Sequence, residues 1–169
     1  WMETERLPHV IGDFVWTAFD YIGEAGIGGV NYDEPLTFSN PYPYHLANCG
    51  DFDICGFKRP QSYYRDLLWG VRTAPFIAVL DPADYGKEMN FTAWGWEPVL
   101  ASWTFPEAEG KTTQVDVYSI DDEVELFING TPAASMYGML NGHVEIGLEP
   151  NRSVGITEEL MNARSLWLT

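Results

Sequence analysis

The chain has 169 residues and a formal net charge of −16, from 9 Lys and Arg against 25 Asp and Glu. That charge repels nucleic acid and anionic membrane surfaces, which excludes both as partners and favours neutral ligands. Hydrophobic residues make up 46% of the chain and aromatic residues 15%, so a core can be buried, and no apolar run is long enough to span a bilayer.

The first distinctive stretch, residues 12–24, reads GDFVWTAFDYIGE. Phe14, Val15 and Trp16 favour β-structure without polar alternation, which predicts a strand covered on both faces, as in a parallel sheet. The strand then enters a glycine-rich loop, an arrangement typical of the active-site face of an α/β barrel. Trp16 is expected at its mouth, where an indole can stack on a sugar ring. The alternative is a core Trp that plugs the barrel.

Residues 25–50 have loop composition, and loops of this length in a compact domain are usually functional. Pro60 suits the first turn of a helix, and apolar residues then recur at helical spacing as far as Trp69, just before Gly70. The cysteines, Cys49 and Cys55, are predicted to be free, buried thiols, with a disulfide bridge within the loop as the alternative. Free thiols favour a cytoplasmic protein, and secretion stays open.

The pattern changes after Trp69. Residues 76–80 predict a strand, and residues 114–118 and 123–128 alternate with period 2 before an Asn-Gly turn signal at 129–130. Further short extended runs are predicted at 143–148, 153–156 and 164–169. Short strands at this spacing are typical of an all-β sandwich. The composition therefore predicts a boundary near residue 75, between segments 1–75 and 76–169.

Three blocks of the chain resemble glycoside hydrolase family 2, the β-galactosidase and β-glucuronidase family. They are GDFVWTAFDYIGE, NCGDFDICGFKRPQSYYRDLLW and AWGW…SWTF…VDVYSIDDEVELFING. The resemblance implies a mixed fold. Residues 1–75 would be the terminal strand, loop and helix of a catalytic (β/α)8 barrel, and residues 76–169 an immunoglobulin-like β-sandwich.

Members of this family are retaining glycosidases that use two carboxylates about 5 Å apart. In the family both come from earlier barrel strands. The resemblance therefore implies no catalytic residue in this chain, no cofactor, and the remaining N-terminal domains of a parent enzyme as partners. The chain alone is expected to be inactive. The alternative is a non-catalytic structural or carbohydrate-binding sandwich module, and a homo-oligomer stays open.

Two departures from the family concern the substrate. β-Glucuronidases carry an Asn-x-Lys motif whose Lys pairs with the sugar carboxylate, and residues 48–50 here read Asn-Cys-Gly. The resemblance therefore implies a neutral β-hexoside, with a β-galactoside favoured. Well-known β-galactosidases hold a sodium ion and the sugar with an Asn where this chain has Cys55, so the resemblance leaves that cation site open, and no metal-binding residue is predicted.

The candidate substrate-binding residues are Trp16, Asp20, Asn48 and Asp53. Asp20 is expected to accept a hydrogen bond either from a sugar hydroxyl or from the loop backbone. Asp51 and Asp53 lie two apart in an extended segment, hence on one face. With no His or Glu partner nearby, turn or loop bonding is predicted for them over a metal pair.

Basic and aromatic residues outside this set have structural interpretations. Lys58 and Arg59 are expected to be an exposed flank of the helix, with a contact to substrate as the alternative. Trp94 and Trp96 are expected to pack between barrel and sandwich, with a glycan-binding patch as the alternative.

Overall fold

A computed structural model describes residues 2–32, 42–121, 123–128, 130–137 and 141–147. This part of the chain is mostly short β-strands with little helix. None of its helices has the length and apolar character needed to cross a membrane.

The elements follow one another in this order: α1 Met2–Arg6, β1 Tyr21–Ile22, β2 Val30–Asn31, β3 Leu46–Ala47, a 3-10 turn at Pro60–Ser62, α2 Tyr63–Leu68, β4 Phe76–Leu80, β5 Asn90–Phe91, β6 Val99–Leu100, β7 Thr112–Tyr118, β8 Glu123–Ile128, β9 Thr131–Tyr137 and β10 Asn141–Gly147.

The main sheet is antiparallel, with strand order β10-β7-β4-β6. Successive side chains of a strand point to opposite faces of the sheet. Strand β4 packs against a hydrophobic cluster on each of its two faces. Ile77 and Val79 face a cluster that includes residues of β7 and β8, whereas Ala78 and Leu80 face a cluster that includes Leu67 of α2. The sheet therefore lies between the β8–β9 hairpin on one side and α2 on the other.

The individual strands predicted for this half are confirmed where the structure describes them. Strand β4 covers the predicted residues 76–80, and β8 covers 123–128. Strands β8 and β9 pair as the predicted hairpin, with Gly130 in the left-handed region (φ 75°) that the turn requires. Of the three later runs, 143–148 corresponds to β10, while 153–156 and 164–169 lie outside the described residues.

The helix predicted after Pro60 is also present, as the 3-10 turn followed by α2. Its packing bears on the predicted boundary near residue 75, because Leu67 of α2 is buried against Ala78, Leu80 and Val99 beyond that boundary. The division into a barrel end and an immunoglobulin-like sandwich stays a prediction.

The strand predicted at residues 14–16 is not formed in the described part of the chain. The Phe14 side chain is fully exposed, at 103% of its reference area, and Ile11 is likewise exposed. Pairing begins later, where Phe19 forms a parallel bridge with Phe52. A strand needs a neighbour to satisfy its backbone groups, and the segment around Phe52 supplies one only from Thr17 onward.

Candidate functional site

A pair of parallel extended segments, residues 17–20 and 49–52, forms the base of the candidate site. The Thr17 N–H donates to the Cys49 carbonyl at 3.4 Å, and the Asp51 N–H donates to the Thr17 carbonyl at 2.9 Å. Gly50 permits this approach, because a Cβ there would lie 2.4 Å from the Asp20 nitrogen. The pairing places Asp20 directly beside the loop that carries Asn48 and Asp53.

Asp20 is buried and bound by Arg59. The carboxylate oxygens accept from Arg59 Nη1 and Nη2 at 2.7 Å each, and the Gly50 N–H donates to Oδ1 at 2.9 Å. The Asp20 side chain is 2% exposed and that of Arg59 is 20% exposed. This geometry makes Asp20 a positioning group that ties the two segments together. Its direct contact with a sugar hydroxyl stays a prediction.

The expectation that Lys58 and Arg59 are an exposed flank is wrong. Besides the Arg59 pair, Lys58 Nζ lies 2.5 Å from Asp66 Oδ2 and 4.8 Å from the centre of the Tyr63 ring. Both cations lie where loop 48–59 meets α2. Each has a carboxylate within reach, so both are drawn inward instead of into solvent.

The two acidic residues in this loop make internal contacts. Asp53 Oδ1 accepts hydrogen bonds from the N–H groups of Cys55 and Phe57, at 2.8 Å each, which is the predicted loop bonding. Asp51 pairs with Arg65 of α2. Within the described ranges, no group of three or more His, Cys, Asp or Glu side chains is arranged to hold a metal ion.

Trp16 stands on the exposed side of this base. It is 56% exposed, and its ring meets that of Tyr21 edge to face, with centroids 6.0 Å apart. The Trp16–Thr17 peptide bond is cis. Tyr21 in turn packs on the small cluster of Ile27, Ala47 and Cys49, and its hydroxyl donates to the Glu24 carboxylate, which raises the pKa of Tyr21. Trp16 is therefore supported from one side and open to solvent.

Asn48 and Asp53 line a cleft of about 340 Å³ between the first half of the chain and residues 96–100. The Asn48 N–H donates to the Ile27 carbonyl at 2.7 Å, and Nδ2 donates to the Leu46 carbonyl at 3.1 Å. Trp16 and Asp20 do not line this cleft. The structure thus brings two of the four candidates into one cavity, with Asp20 buried beside it and Trp16 on a neighbouring surface.

Further residues line the cleft beside Asn48 and Asp53. Arg59 and Gln61 line it from the loop before α2, and the Gln61 side chain donates to the Glu97 carbonyl. Trp96 lines it from the other half, and its buried Nε1 has no hydrogen-bond partner in the described structure. The sequence indicated Arg59 and Trp96 only as alternatives, a contact to substrate and a glycan-binding patch, and gave no signal for Gln61.

The two tryptophans of that motif have different environments. Trp96 is partly buried, with the Arg65 guanidinium 5.7 Å from its ring centre, and its packing between a barrel and a sandwich stays a prediction. Trp94 is 59% exposed, so the packing interpretation is wrong for its side chain in the described structure.

The thiol predictions hold in part. Both cysteines are free, as predicted. Cys49 is buried, and burial raises the pKa of its thiol, whereas Cys55 is exposed. The prediction of burial is wrong for Cys55 because it lies in the tight turn that Asp53 closes, with its side chain outside.

Comparisons with known proteins agree with this architecture, although no protein-family model matches the chain. A crystal structure of a glycosyl hydrolase family 2 member from Bacteroides cellulosilyticus is 38% identical with a TM-score of 0.70, over 88% of this chain and 20% of that one. A second family 2 structure, from strain DSM 14838 of the same species, is 35% identical with a TM-score of 0.61, over 86% of this chain and 17% of that one.

Curated relatives point the same way. A protein of Formosa agariphila that bears a β-glucuronidase name is 32% identical over 133 residues, which are 77% of this chain and 10% of that protein. The β-galactosidase BoGH2A of Bacteroides ovatus is 26% identical over 123 residues, 72% of this chain and 10% of that protein. The chain thus spans about a tenth of the length of these relatives. It belongs to glycoside hydrolase family 2.

Proposed function

We propose that this chain is part of a retaining β-glycosidase that hydrolyses O-glycosidic bonds, with β-galactosides as its substrates. The observation that carries the proposal is the half-exposed Trp16 beside a buried Asp20 that Arg59 fixes in place. An open indole on a rigid base is suited to stack on the apolar face of a sugar. The two carboxylates that retention requires lie about 5 Å apart in such enzymes, and we place them outside this chain.

The charges around the cleft support a neutral sugar. Lys58 and Arg59 are the cations that line it, and each is ion-paired, with Asp66 and Asp20 respectively. A glucuronide carboxylate would have to compete with those internal carboxylates. Residues 48–50 add no lysine, since they read Asn-Cys-Gly.

β-Glucuronide hydrolysis is the second candidate, because the Formosa relative bears that name at 32% identity. Hydrolysis of a β-glucuronide differs from hydrolysis of a β-galactoside because it requires a cation beside the carboxylate at C6 of the sugar.

In the proposed mechanism this part of the enzyme binds and orients the sugar. Trp16 stacks on the ring, and the Asp20–Arg59 pair holds segment 17–20 against loop 48–53. Asn48 presents an amide at the cleft while its backbone is anchored to Ile27. The chemical step, formation and hydrolysis of a glycosyl-enzyme intermediate, belongs to the carboxylates elsewhere in the parent.

The test is to express the intact parent enzyme and compare kcat/KM for nitrophenyl β-galactoside, β-glucoside and β-glucuronide. The proposal predicts that the β-galactoside is best and that the first-formed product keeps the β-configuration by NMR. A best rate on the β-glucuronide would select the second candidate. A parent that hydrolyses none of the three, while still binding oligosaccharide, would favour the non-catalytic module. The 169-residue chain alone should show no turnover above the buffer blank.

A further inference from the structure

The indole of Trp16 contacts both the ring and the hydroxyl of Tyr21. The two rings lie edge to face, with centroids 6.0 Å apart and planes at 89°. The hydrogen bond to Glu24 is the main reason that the pKa of Tyr21 is raised, and a side-chain hydrogen bond with Trp16 works against it. Because an indole N–H can only donate, the Tyr21 hydroxyl accepts from Trp16 and donates to Glu24. The three side chains therefore form one hydrogen-bonded series.

Tyr21 is the fixed member of this series. Its backbone lies in β1, where it pairs with Ala47 of β3. Its ring packs on the cluster of Ile27, Ala47 and Cys49, whose members are at most 7% exposed. A ring that is already ordered by such packing loses little further freedom when it binds a neighbour. The Tyr21 hydroxyl is thus presented to Trp16 from a fixed position.

Glu24 sets the direction of that hydroxyl. Glu24 is exposed, and the turn that carries it brings its carboxylate back to Tyr21. Gly23 lies at φ 136°, which glycine adopts without strain, and the Glu24 carbonyl accepts from the Ile27 N–H at 3.3 Å. A phenol has one proton to donate, so the acceptor that takes it decides which way the hydroxyl points. With the proton directed to Glu24, the oxygen lone pairs are left for the Trp16 N–H.

An exposed indole benefits from such a support. Trp16 is 56% exposed, and an exposed side chain loses rotamer freedom when a ligand stacks on it, which weakens binding. Holding the ring in its bound orientation beforehand removes part of that cost. The support also fixes the plane of the ring, because the ring and its N–H are both engaged by Tyr21.

We propose that Tyr21 and Glu24 are positioning residues of the sugar site, which act on the substrate by holding the Trp16 ring in the orientation that stacks. The proposal rests on the proposed function, in which Trp16 stacks on the glycosyl unit. Neither residue has to touch the sugar. Glu24 serves as a hydrogen-bond acceptor and takes no part in the chemical step, whose carboxylates we place outside this chain.

The first experiment is a pair of double-mutant cycles in the intact parent enzyme, with nitrophenyl β-galactoside as substrate. Tyr21→Phe keeps the packed ring and removes the hydroxyl, and Glu24→Ala removes the acceptor. Each should lower kcat/KM about threefold to tenfold, as expected for one lost hydrogen bond. In a Trp16→Ala background neither change should cost more than about 1.5-fold, because the ring that they hold is gone. A loss of the same size in that background, or no loss in the parent, would overturn the positioning role.

Conservative and distant variants are the controls. Glu24→Gln keeps an acceptor oxygen and should recover most of the activity that Glu24→Ala loses. Tyr64→Phe removes a hydroxyl from a ring of α2 that packs on a different cluster, and Glu125→Gln changes an exposed position of β8. Both should leave kcat/KM at the parental value. Losses in these two variants that match those of Tyr21→Phe and Glu24→Ala would refute a role specific to the series.

A spectroscopic measurement separates this inference from the proposed function. In the 169-residue chain labelled with fluorotryptophan, the fluorine NMR signal of Trp16 is identified by its loss in Trp16→Phe. That signal should shift in Tyr21→Phe and in Glu24→Ala, and it should stay in place in Tyr64→Phe and Glu125→Gln. The result needs no substrate, so it decides whether Tyr21 and Glu24 hold Trp16 even if the parent hydrolyses no β-galactoside. A signal that stays in place in Tyr21→Phe and Glu24→Ala would contradict the inference.

Discussion

Replacement of Arg59 by Ala should destabilise the chain more than any exposed ion-pair change. The Asp20 carboxylate is 2% exposed and would keep only the Gly50 N–H as a described donor. Removing one partner of a buried pair costs about 3–5 kcal/mol, because the remaining charge is uncompensated. For a chain of this size, that lowers the melting temperature by about 6–20 °C. Differential scanning calorimetry of the 169-residue chain measures it.

Controls separate the buried charge from a general loss of arginine. Arg6→Ala breaks a pair with Glu3 whose side chains are 68% and 71% exposed, so it should cost less than about 1 kcal/mol. Arg59→Lys keeps the charge without the planar fork of the guanidinium, so its loss of stability should lie between those of Arg6→Ala and Arg59→Ala. Adding Asp20→Ala to Arg59→Ala should recover part of the loss, because the stranded charge is then gone. If Arg59→Ala shifts the melting temperature no more than Arg6→Ala, the assigned role of this pair is wrong.

Three more outcomes follow from burial. A thiol reagent should modify exposed Cys55 quickly and buried Cys49 only on unfolding, so equal rates would contradict the structure. Leu67→Ala should cost about 2–5 kcal/mol by calorimetry, since Leu67 joins α2 to the sheet, and a loss below 1 kcal/mol would deny that packing. Burial and Asp116 raise the pKa of Tyr118 in the folded state. Above about pH 10 the Tyr118 hydroxyl is therefore deprotonated in the unfolded state while it is still protonated in the folded state. The free energy of unfolding should then fall by up to about 1.4 kcal/mol per pH unit, and it should fall less steeply in Tyr118→Phe. Equal slopes for the two proteins would refute the raised pKa of Tyr118.

Local patterns predicted the second half of the chain well. Strand β4 lies on a continuous apolar run, β7 and β8 lie where apolar and polar residues alternate, and the Asn-Gly signal predicted the hairpin turn. The residues of each strand carry its signal whether the partner is near, as for β8 and β9, or distant, as for Phe76 of β4 opposite Tyr118 of β7. The helix α2 was predicted for a similar reason, because Pro60 and the apolar spacing are local signals.

Predictions that depend on distant partners were less complete. Residues 14–16 have a strand pattern, but the described chain offers them no pairing segment, and Phe14 stays exposed. Arg59 was assigned to the surface because its partner, Asp20, lies 39 positions away. Nothing in local composition marks that pairing. The cleft around Asn48 likewise joins two halves that the sequence divided near residue 75.

The most direct test of the account is Trp16→Ala in the intact parent enzyme. Trp16 is 56% exposed, so its loss should change the melting temperature little. Loss of stacking on the glycosyl unit should lower kcat/KM for a β-galactoside about tenfold to a hundredfold, by analogy with aromatic stacking on nucleic-acid bases. A variant that melts far below the parent, as truncation of a core Trp at about 3–5 kcal/mol would cause, while its folded fraction keeps the parental kcat/KM, would contradict the account.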